Sequence, residues 1–586
     1  MADAAVGRTS ARRTFTGLAA CIAWLAGFQA HANISIEVNG VEGDMKRNVL
    51  TFLSLQRYAN RDDLTADTVE RIAQRSVSEG RSALKPFGFY EPKIAWNLKE
   101  DGRNWRATIT VNPGEPVRLK EVDLQITGPG ERDPLFTNVL RRSTLKVGDQ
   151  LNHPAYERVK GDLERTAASY GYLDAKLERH ELLVDPANKA ASAHLLLSTG
   201  PRYRFGDTTI KQTVIDDKLM RKYLRYGQGQ PYDSTALLRT QFALDDSQYF
   251  STIEVLPRGR DSDSLTVPIG IEGIANKRNR YSIGAGYGTD TRFRGTIAWD
   301  NRLVNSHGHR AHVELKGSGI TQELTANYII PVGDPALEKI SLESSYGRTT
   351  LGDVTTTGLV VKPGLTQVIG NWQRVLFVSV NRNISRTAFT SLTDNAVVPG
   401  ISYASIPPGI FGQPVAGRGL YVELTGSHAV LGSNSNFLRF FIQDDQRFDL
   451  SPVWHLLLRG QFGVSLVSQF SELPAFERFF AGGDRSVRGF ALNDLSPVDQ
   501  NGQKIGGRDL VVGSIEFERD LPRGFAVATF MDAGNAMNSF REHLEYSAGI
   551  GFRYKLPAVS IGLDVAKAIS RSDLSPRLHL NIQPTF

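Results

Sequence analysis

Three groupings in this 586-residue chain bring together residue types that do chemistry. His307, His309 and His312 stand close enough for imidazoles to share zinc, but no carboxylate sits at ligand spacing. A plain turn is the reading there, and no metal is expected. Gly284-Ala285-Gly286-Tyr287-Gly288 has the glycine density of a phosphate cradle, yet it opens no helix, so no nucleotide or other cofactor is expected. The third grouping is Phe476-Glu477-Arg478-Phe479-Phe480-Ala481-Gly482-Gly483-Asp484-Arg485-Ser486-Val487-Arg488-Gly489-Phe490, which sets three guanidinium groups among phenylalanines. Such a segment is too apolar for a solvated loop, and its chemistry is ion pairing inside a polar cavity. No G-x-S-x-G elbow, Walker A loop or H-E-x-x-H occurs, so an enzyme is not expected. A Ser–His pair dispersed over a barrel wall would leave no such motif.

Composition narrows what can hold these residues. Lys+Arg 68 against Asp+Glu 62 gives a formal charge of +6 with no basic block, which argues against nucleic acid as a main partner. Past the extreme N-terminus no window approaches 18 uncharged apolar residues, so a helical membrane bundle is ruled out. Gly 55, Phe 29 and Tyr 18 beside Met 5 and Cys 1 lean toward a bacterial β-barrel. At the start, Arg8, Arg12 and Arg13 precede an apolar run ending in Ala30-His31-Ala32, the pattern of a secretory signal peptide over residues 1–32. Leu18-Ala19-Ala20-Cys21 offers lipoprotein processing as the alternative. If Ala32 is the cut, the only cysteine leaves with the signal.

The next stretch repeats. Phe87-Gly88-Phe89-Tyr90 realigns with Tyr170-Gly171-Tyr172-Leu173, and a weaker third copy runs through Tyr249-Phe250-Ser251-Thr252-Ile253. Each copy reads as strand, helices, aromatic-Gly turn and two alternating strands, with Val69, Ile72, Ala73 and Val77 forming a helical stripe in the first. The expected units are 33–115, 116–202 and 203–275. Gly88 and Gly171 are read as turn residues relieving positive φ.

From residue 276 the period changes to two. Leu438, Phe440 and Ile442 alternate with Arg439 and Gln443, and Tyr546 to Leu556 alternates with Ser547, Arg553 and Lys555. About sixteen antiparallel strands are expected, starting near 278, 292, 308, 320, 338, 354, 372, 398, 417, 436, 454, 508, 524, 545, 558 and 577. Pro363, Pro399, Pro407 and Pro408 blur the pattern over 354–410. Strands of about 10 residues with one lipid-like and one ionic face close into an outer-membrane barrel around a water-filled lumen. The fold class is therefore three α+β repeats followed by an all-β barrel over 276–586. Residues 468–507 are far longer than a hairpin connection and are expected to fold inward.

The repeats resemble polypeptide-transport-associated (POTRA) domains, and the G-G-x-x-S-V-R-G-F run resembles the sixth-loop signature of the BamA/two-partner-secretion transporter superfamily. Gly513-Ser514-Ile515-Glu516-Phe517 is similar to the family's twelfth strand and Phe530-Met531-Asp532-Ala533-Gly534 to its thirteenth. Parity agrees: Glu516 lies opposite Ile515 and Phe517, and Asp532 opposite Val527 and Met531, so both carboxylates face the lumen. Arg488 is then expected to reach Asp532, and Glu516 beside it. Gly489 would let the backbone turn tightly against the wall, and Phe490 would fill a lumenal pocket. With Val487 these form either a lock on barrel conformation or an ion pair needed only for folding. Leu578, Leu580, Ile582, Pro584 and Phe586 share one face of the last strand, which resembles the family's β-signal.

Three POTRA copies most resemble the TamA-type branch of the superfamily. The resemblance implies an assembly factor in the outer membrane, with its N-terminal domains in the periplasm. It would insert autotransporter-type and other β-barrel clients, delivered unfolded or partly folded, into the lipid bilayer. A TamB-like inner-membrane-anchored partner would dock on the first POTRA domain. Domain edges would accept extended strands, or serve only as rigid spacers. Insertion needs a weak seam: Tyr281, Gly284, Gly286 and Gly288 on the first strand face Pro584 and Phe586 on the last, where proline lacks an N–H. The alternative is a two-partner-secretion pore exporting one soluble partner through the lumen.

Overall fold

The computed structural model describes residues 34–586 except 60, 62–63, 102–103, 407–418, 557–558 and 585–586. The signal segment 1–32, Pro407, Pro408 and Phe586 lie outside the described residues.

The chain forms two compact units. The first unit holds two three-stranded sheets. In the N-terminal one, Ile34–Asn39 runs parallel to the central strand Asn104–Asn112, and Lys93–Asp101 pairs antiparallel on its other side. Helix Ala66–Leu84 covers this sheet because Val69, Ile72, Ala73, Ser76, Gly80, Ala83 and Leu84 recur on one face. Val77 of the expected stripe is only half-buried, and Ser76 and Gly80 take its place. A Cβ at Gly80 would stand 2.7 Å from Ile94 Cδ1, so a small residue is what lets helix and sheet close. The next sheet repeats the topology, with Arg118–Thr127 and Lys176–Asp185 flanking Ala190–Ser198. Its long helix, His153–Ser169, starts where the Asn152 side chain accepts from the Ala155 N–H at 3.2 Å. Gly88 and Gly171 sit at φ +83° and +89°, the left-handed turns that the aromatic-Gly repeat suggests.

The second unit contains the third sheet, ordered Arg204–Lys211, Thr266–Ala275, Phe250–Pro257, and the barrel. This third domain is held under the barrel rim. Tyr249 donates its hydroxyl to Gly308 O at 2.7 Å, and Arg225 Nη2 donates to Asp334 Oδ1 at 2.9 Å.

Sixteen strands close the barrel, each antiparallel to the next, from Asn279–Gly288 to Arg577–Pro584. Strand starts agree with the alternation to within two residues except the eighth, which begins at Ser391 rather than 398. Proline masked that start. Pro399 pairs with Val378 on one side but lies just outside the ladder to the ninth strand (Gly419–Ser427), a ladder whose first pair is Gly400↔Thr425. Pro363 similarly falls in a gap of the ladder between the sixth and seventh strands. Outward apolar side chains are bare, Ile283 at 84 % and Phe293 at 79 % exposure. Such a belt is stable only against lipid. No helix among the described residues is long and apolar enough to cross a membrane, so crossing is by strands.

Candidate functional site: a buried arginine cluster and a thin seam

The connection between the eleventh strand (Trp454–Leu466) and the twelfth (Asp509–Asp520) folds back on itself. Phe479 and Gly507 exchange backbone hydrogen bonds at 2.8 Å, and Ala481 and Leu495 at 3.0 Å. These pairings satisfy backbone groups that the barrel's own ladders cannot reach. Its three arginines do different things. Arg478 serves the loop, donating to Leu473 O at 3.0 Å and Ile505 O at 3.3 Å. Arg485 is exposed. Arg488 is 1 % exposed and enters a charged cluster on the wall.

The Arg488 fork is filled. Nε donates to Asp532 Oδ2 at 3.0 Å, Nη2 to Asp532 Oδ1 at 2.7 Å, and Nη1 to Glu516 Oε2 at 2.6 Å. Nη2 also reaches Ser514 Oγ at 3.1 Å, and the guanidinium lies over the Phe530 ring, 3.2 Å from its centroid. Bidentate pairing of this kind needs the planar guanidinium and is closed to lysine. The backbone is held as well, with Arg488 N–H donating to Asp532 Oδ2 at 3.1 Å. Ser514 and Ser547 hydroxyls donate to Asp532 at 2.7 and 3.2 Å. Glu516 and Asp532 are buried while Ile515, Phe517 and Met531 beside them face out, so the cluster is lumenal.

Alternation alone points Arg553 inward, but the cluster around it emerges only in three dimensions. Arg553 Nη2 bonds Glu516 Oε1 at 3.2 Å and Asp564 Oδ2 at 3.1 Å, and Arg459 Nη2 stands 3.8 Å from Glu516. Asp564 lies 3.6 Å from Arg488 Nη1. Arg459, Arg488 and Arg553 therefore balance Glu516, Asp532 and Asp564. That balance is what makes burial tolerable, since each ion costs several kcal/mol to desolvate.

Val487 and Phe490, fully buried, pack with Phe479, Leu495, Leu510, Val512 and Ala536. Gly489 is required by close approach rather than by backbone angle. A Cβ there would stand 2.6 Å from Ser547 Cβ and 2.7 Å from Ala568 N. Gly489→Ala should cost about 1–3 kcal/mol by overpacking and lower the barrel's melting temperature. An unchanged thermal melt in detergent would contradict that close fit.

The seam is thin. The first strand pairs with the second along its whole length, Asn279 to Gly288. With the last strand, described residues pair only at Tyr287↔Ile582 and Gly288↔Asn581. Tyr281 is bare on the outer face. A Cβ at Gly286 would come to 3.0 Å from Ile582 O, and one at Gly284 would meet no described residue of the last strand. Pro584 ends the last strand and pairs with Val559.

The three clustered histidines do not converge. His307 Nδ1 meets Asp216 at 2.6 Å, His309 meets Tyr328 OH at 2.8 Å and His312 meets Asp300 at 2.8 Å. Carboxylates therefore stand near two of them, one from a distant domain, where the sequence shows none at ligand spacing. His455, Glu518 and Asp520 bring ligand atoms within 4.8 Å of one another. The Lys555 ammonium already bonds both carboxylates there, at 2.7 and 3.0 Å.

Comparison with known proteins fits this geometry. Residues 413–585 match the Omp85 superfamily domain, and residues 35–113 match the POTRA domain TamA domain 1. The chain carries an Omp85 barrel domain and a TamA-type POTRA domain. It is 22 % identical over 425 residues to the outer membrane protein assembly factor BamA of Nitratidesulfovibrio vulgaris, covering 67 % of this chain and 52 % of that protein. With BamA of Neisseria meningitidis serogroup B the identity is 22 % over 485 residues, covering 74 % and 59 %. The chain thus spans little more than half the length of these relatives. The crystal structure of BamA from Haemophilus ducreyi lacking POTRA domains 1–3 superposes with a TM-score of 0.62 at 14 % identity, covering 80 % of this chain and 99 % of that one. That likeness is one of fold. The Omp85 barrel sits in the outer membrane with its N-terminal domains on the periplasmic side.

Proposed function

We propose that this Omp85 protein is an outer-membrane assembly and translocation factor. It inserts autotransporter-type and other β-barrel clients through the seam between its first and last strands. The observation that carries the reading is the contrast at strand one, paired throughout its length on one side and, among described residues, only at Tyr287 and Gly288 on the other. An antiparallel edge with free N–H and C=O groups is a template for another strand. A client strand would take the edge from Asn279 to Gly286, and the free energy would come from strand pairing and burial of client apolar surface in lipid. In this reading Val487, Arg488, Gly489, Phe490, Glu516 and Asp532 lock the barrel shape, and Tyr281, Gly284, Gly286, Gly288, Pro584 and Phe586 form the seam. Residues 33–115, 116–202 and 203–275 act as three POTRA domains that receive clients, the first also docking a TamB-like partner.

The test is depletion of this protein followed by quantitative proteomics of isolated outer membranes. Several β-barrel proteins should fall together, by several-fold. Loss of one secreted soluble protein from the medium, with the outer-membrane barrels unchanged, would overturn insertion in favour of a secretion pore.

A further inference from the structure

The two sides of the seam are joined by more than their ladder. Beyond Gly288 the same register continues outward: Thr289 N–H donates to Leu580 O at 3.0 Å, and Asp290 comes opposite His579. Asp290 lies in the turn between the first and second strands, and His579 on the last strand. His579 Nδ1 stands 3.4 Å from Asp290 Oδ2, with both side chains 95 % or more buried. The other nitrogen of that ring, Nε2, meets Arg488 O at 2.6 Å, a bond in which it must carry the proton. Asp290 in turn accepts the Asp484 N–H at 2.9 Å. The folded-back loop therefore grips one side of the seam through Asp484 and the other through Arg488, and Asp290 and His579 close the ring between them. One step toward Gly286, Arg294 Nη2 donates to Asn581 Oδ1 at 2.8 Å, a further link across the seam. Toward Asn279, at the end where the third domain attaches, no pair between the two strands falls on described residues.

We infer that Asp290 and His579 are positioning residues that clasp the extracellular end of the seam to the docked loop. The barrel then opens from its periplasmic end, with the clasp as the pivot, and parts fully only when the loop withdraws. This inference rests on the lateral-opening reading above. The physical reason is burial. Because Nε2 gives its proton to Arg488 O, Nδ1 attracts Asp290 only in the imidazolium, and a carboxylate and an imidazolium this enclosed are costly to separate, whereas the few ladder bonds across the seam among described residues contribute less.

The experiment uses the full chain in phospholipid nanodiscs, spin-labelled through Thr289→Cys and Leu580→Cys, which straddle the extracellular end. Ile297→Cys with Leu315→Cys, paired across the second and third strands, is the control. Asp290→Asn keeps an acceptor for Asp484 N–H but loses the charge. His579→Gln keeps a donor for Arg488 O but loses the reach to Asp290. Each should add a longer distance population across the seam, at least tenfold above the parent, and the double variant should add no more than either alone. The control distance should stay fixed. An unaltered seam distance in Asp290→Asn overturns the clasp, whatever His579→Gln does to folding. Client insertion measured in parallel separates the two claims. If the seam widens and insertion is untouched, the clasp stands and the insertion reading fails. If insertion drops while the seam distance holds, the clasp fails alone.

Discussion

Arg488→Ala is expected to abolish client insertion while the protein still reaches the outer membrane. The substitution removes one cation from a balanced set and leaves Asp532, at 0 % exposure, and Glu516 without their main partner. Breaking a buried pair from one side costs about 3–5 kcal/mol. At 1.4 kcal/mol per tenfold, docking of the loop weakens by roughly two to three and a half orders of magnitude. Arg488→Lys should recover only part of this, since an ammonium cannot make the bidentate bond to Asp532 while also bonding Glu516 and Ser514. The decisive comparison is Arg488→Ala combined with Asp532→Ala. Removing both charges restores balance, so the barrel's melting temperature should rise again, measured by loss of heat-modifiable mobility. Insertion should remain lost. Recovery of insertion in that double variant would mean that the pair matters only for folding, and the lock reading would go.

A disulfide across the seam should be equally damaging. Tyr287 and Ile582 are directly opposed in the antiparallel register, at the Cα separation such pairs share with disulfides. Cys21, the chain's only cysteine, lies within the segment read as a signal peptide, so Tyr287→Cys with Ile582→Cys has no competing thiol in a processed chain. Oxidation should reduce insertion to background and a reductant should restore it. Ile283→Cys with Ile297→Cys, which staples the fully paired first and second strands, should leave insertion intact. Full insertion by a completely crosslinked seam would exclude full parting of the two strands and leave either opening at the periplasmic end alone or passage through the lumen.

The barrel was legible because lipid on one side and an ionic lumen on the other impose a strict period of two. Even the unusual partners Glu516 and Asp532 announce their face by standing opposite Ile515 and Met531. The loop announced itself by length and by arginine among phenylalanines, but which arginine mattered did not follow from residue type. In sequence Arg478 and Arg488 are both cations among phenylalanines, yet the first, half-buried, bonds loop carbonyls and the second, buried, bonds the wall. Arg553 was visible only as an inward-facing charge, and its convergence with Glu516 and Asp564 was not, because that depends on strand stagger. Proline misled at residue 399, where one side of the strand carries no ladder.

By itself the sequence determined the architecture: repeated α+β units, sixteen strands, the inward faces and a loop carrying Arg488. These follow from periodicity, which is a local property of a chain meeting water, lipid and its own backbone. Only the tertiary structure decided the charge balance around Arg488, the need for glycine at 489 and the ring of Asp484, Asp290, His579 and Arg488. Asp290 and His579 are 289 positions apart in the chain. Closing the barrel puts them 3.4 Å apart, and no pattern along the chain encodes a distance set by closure.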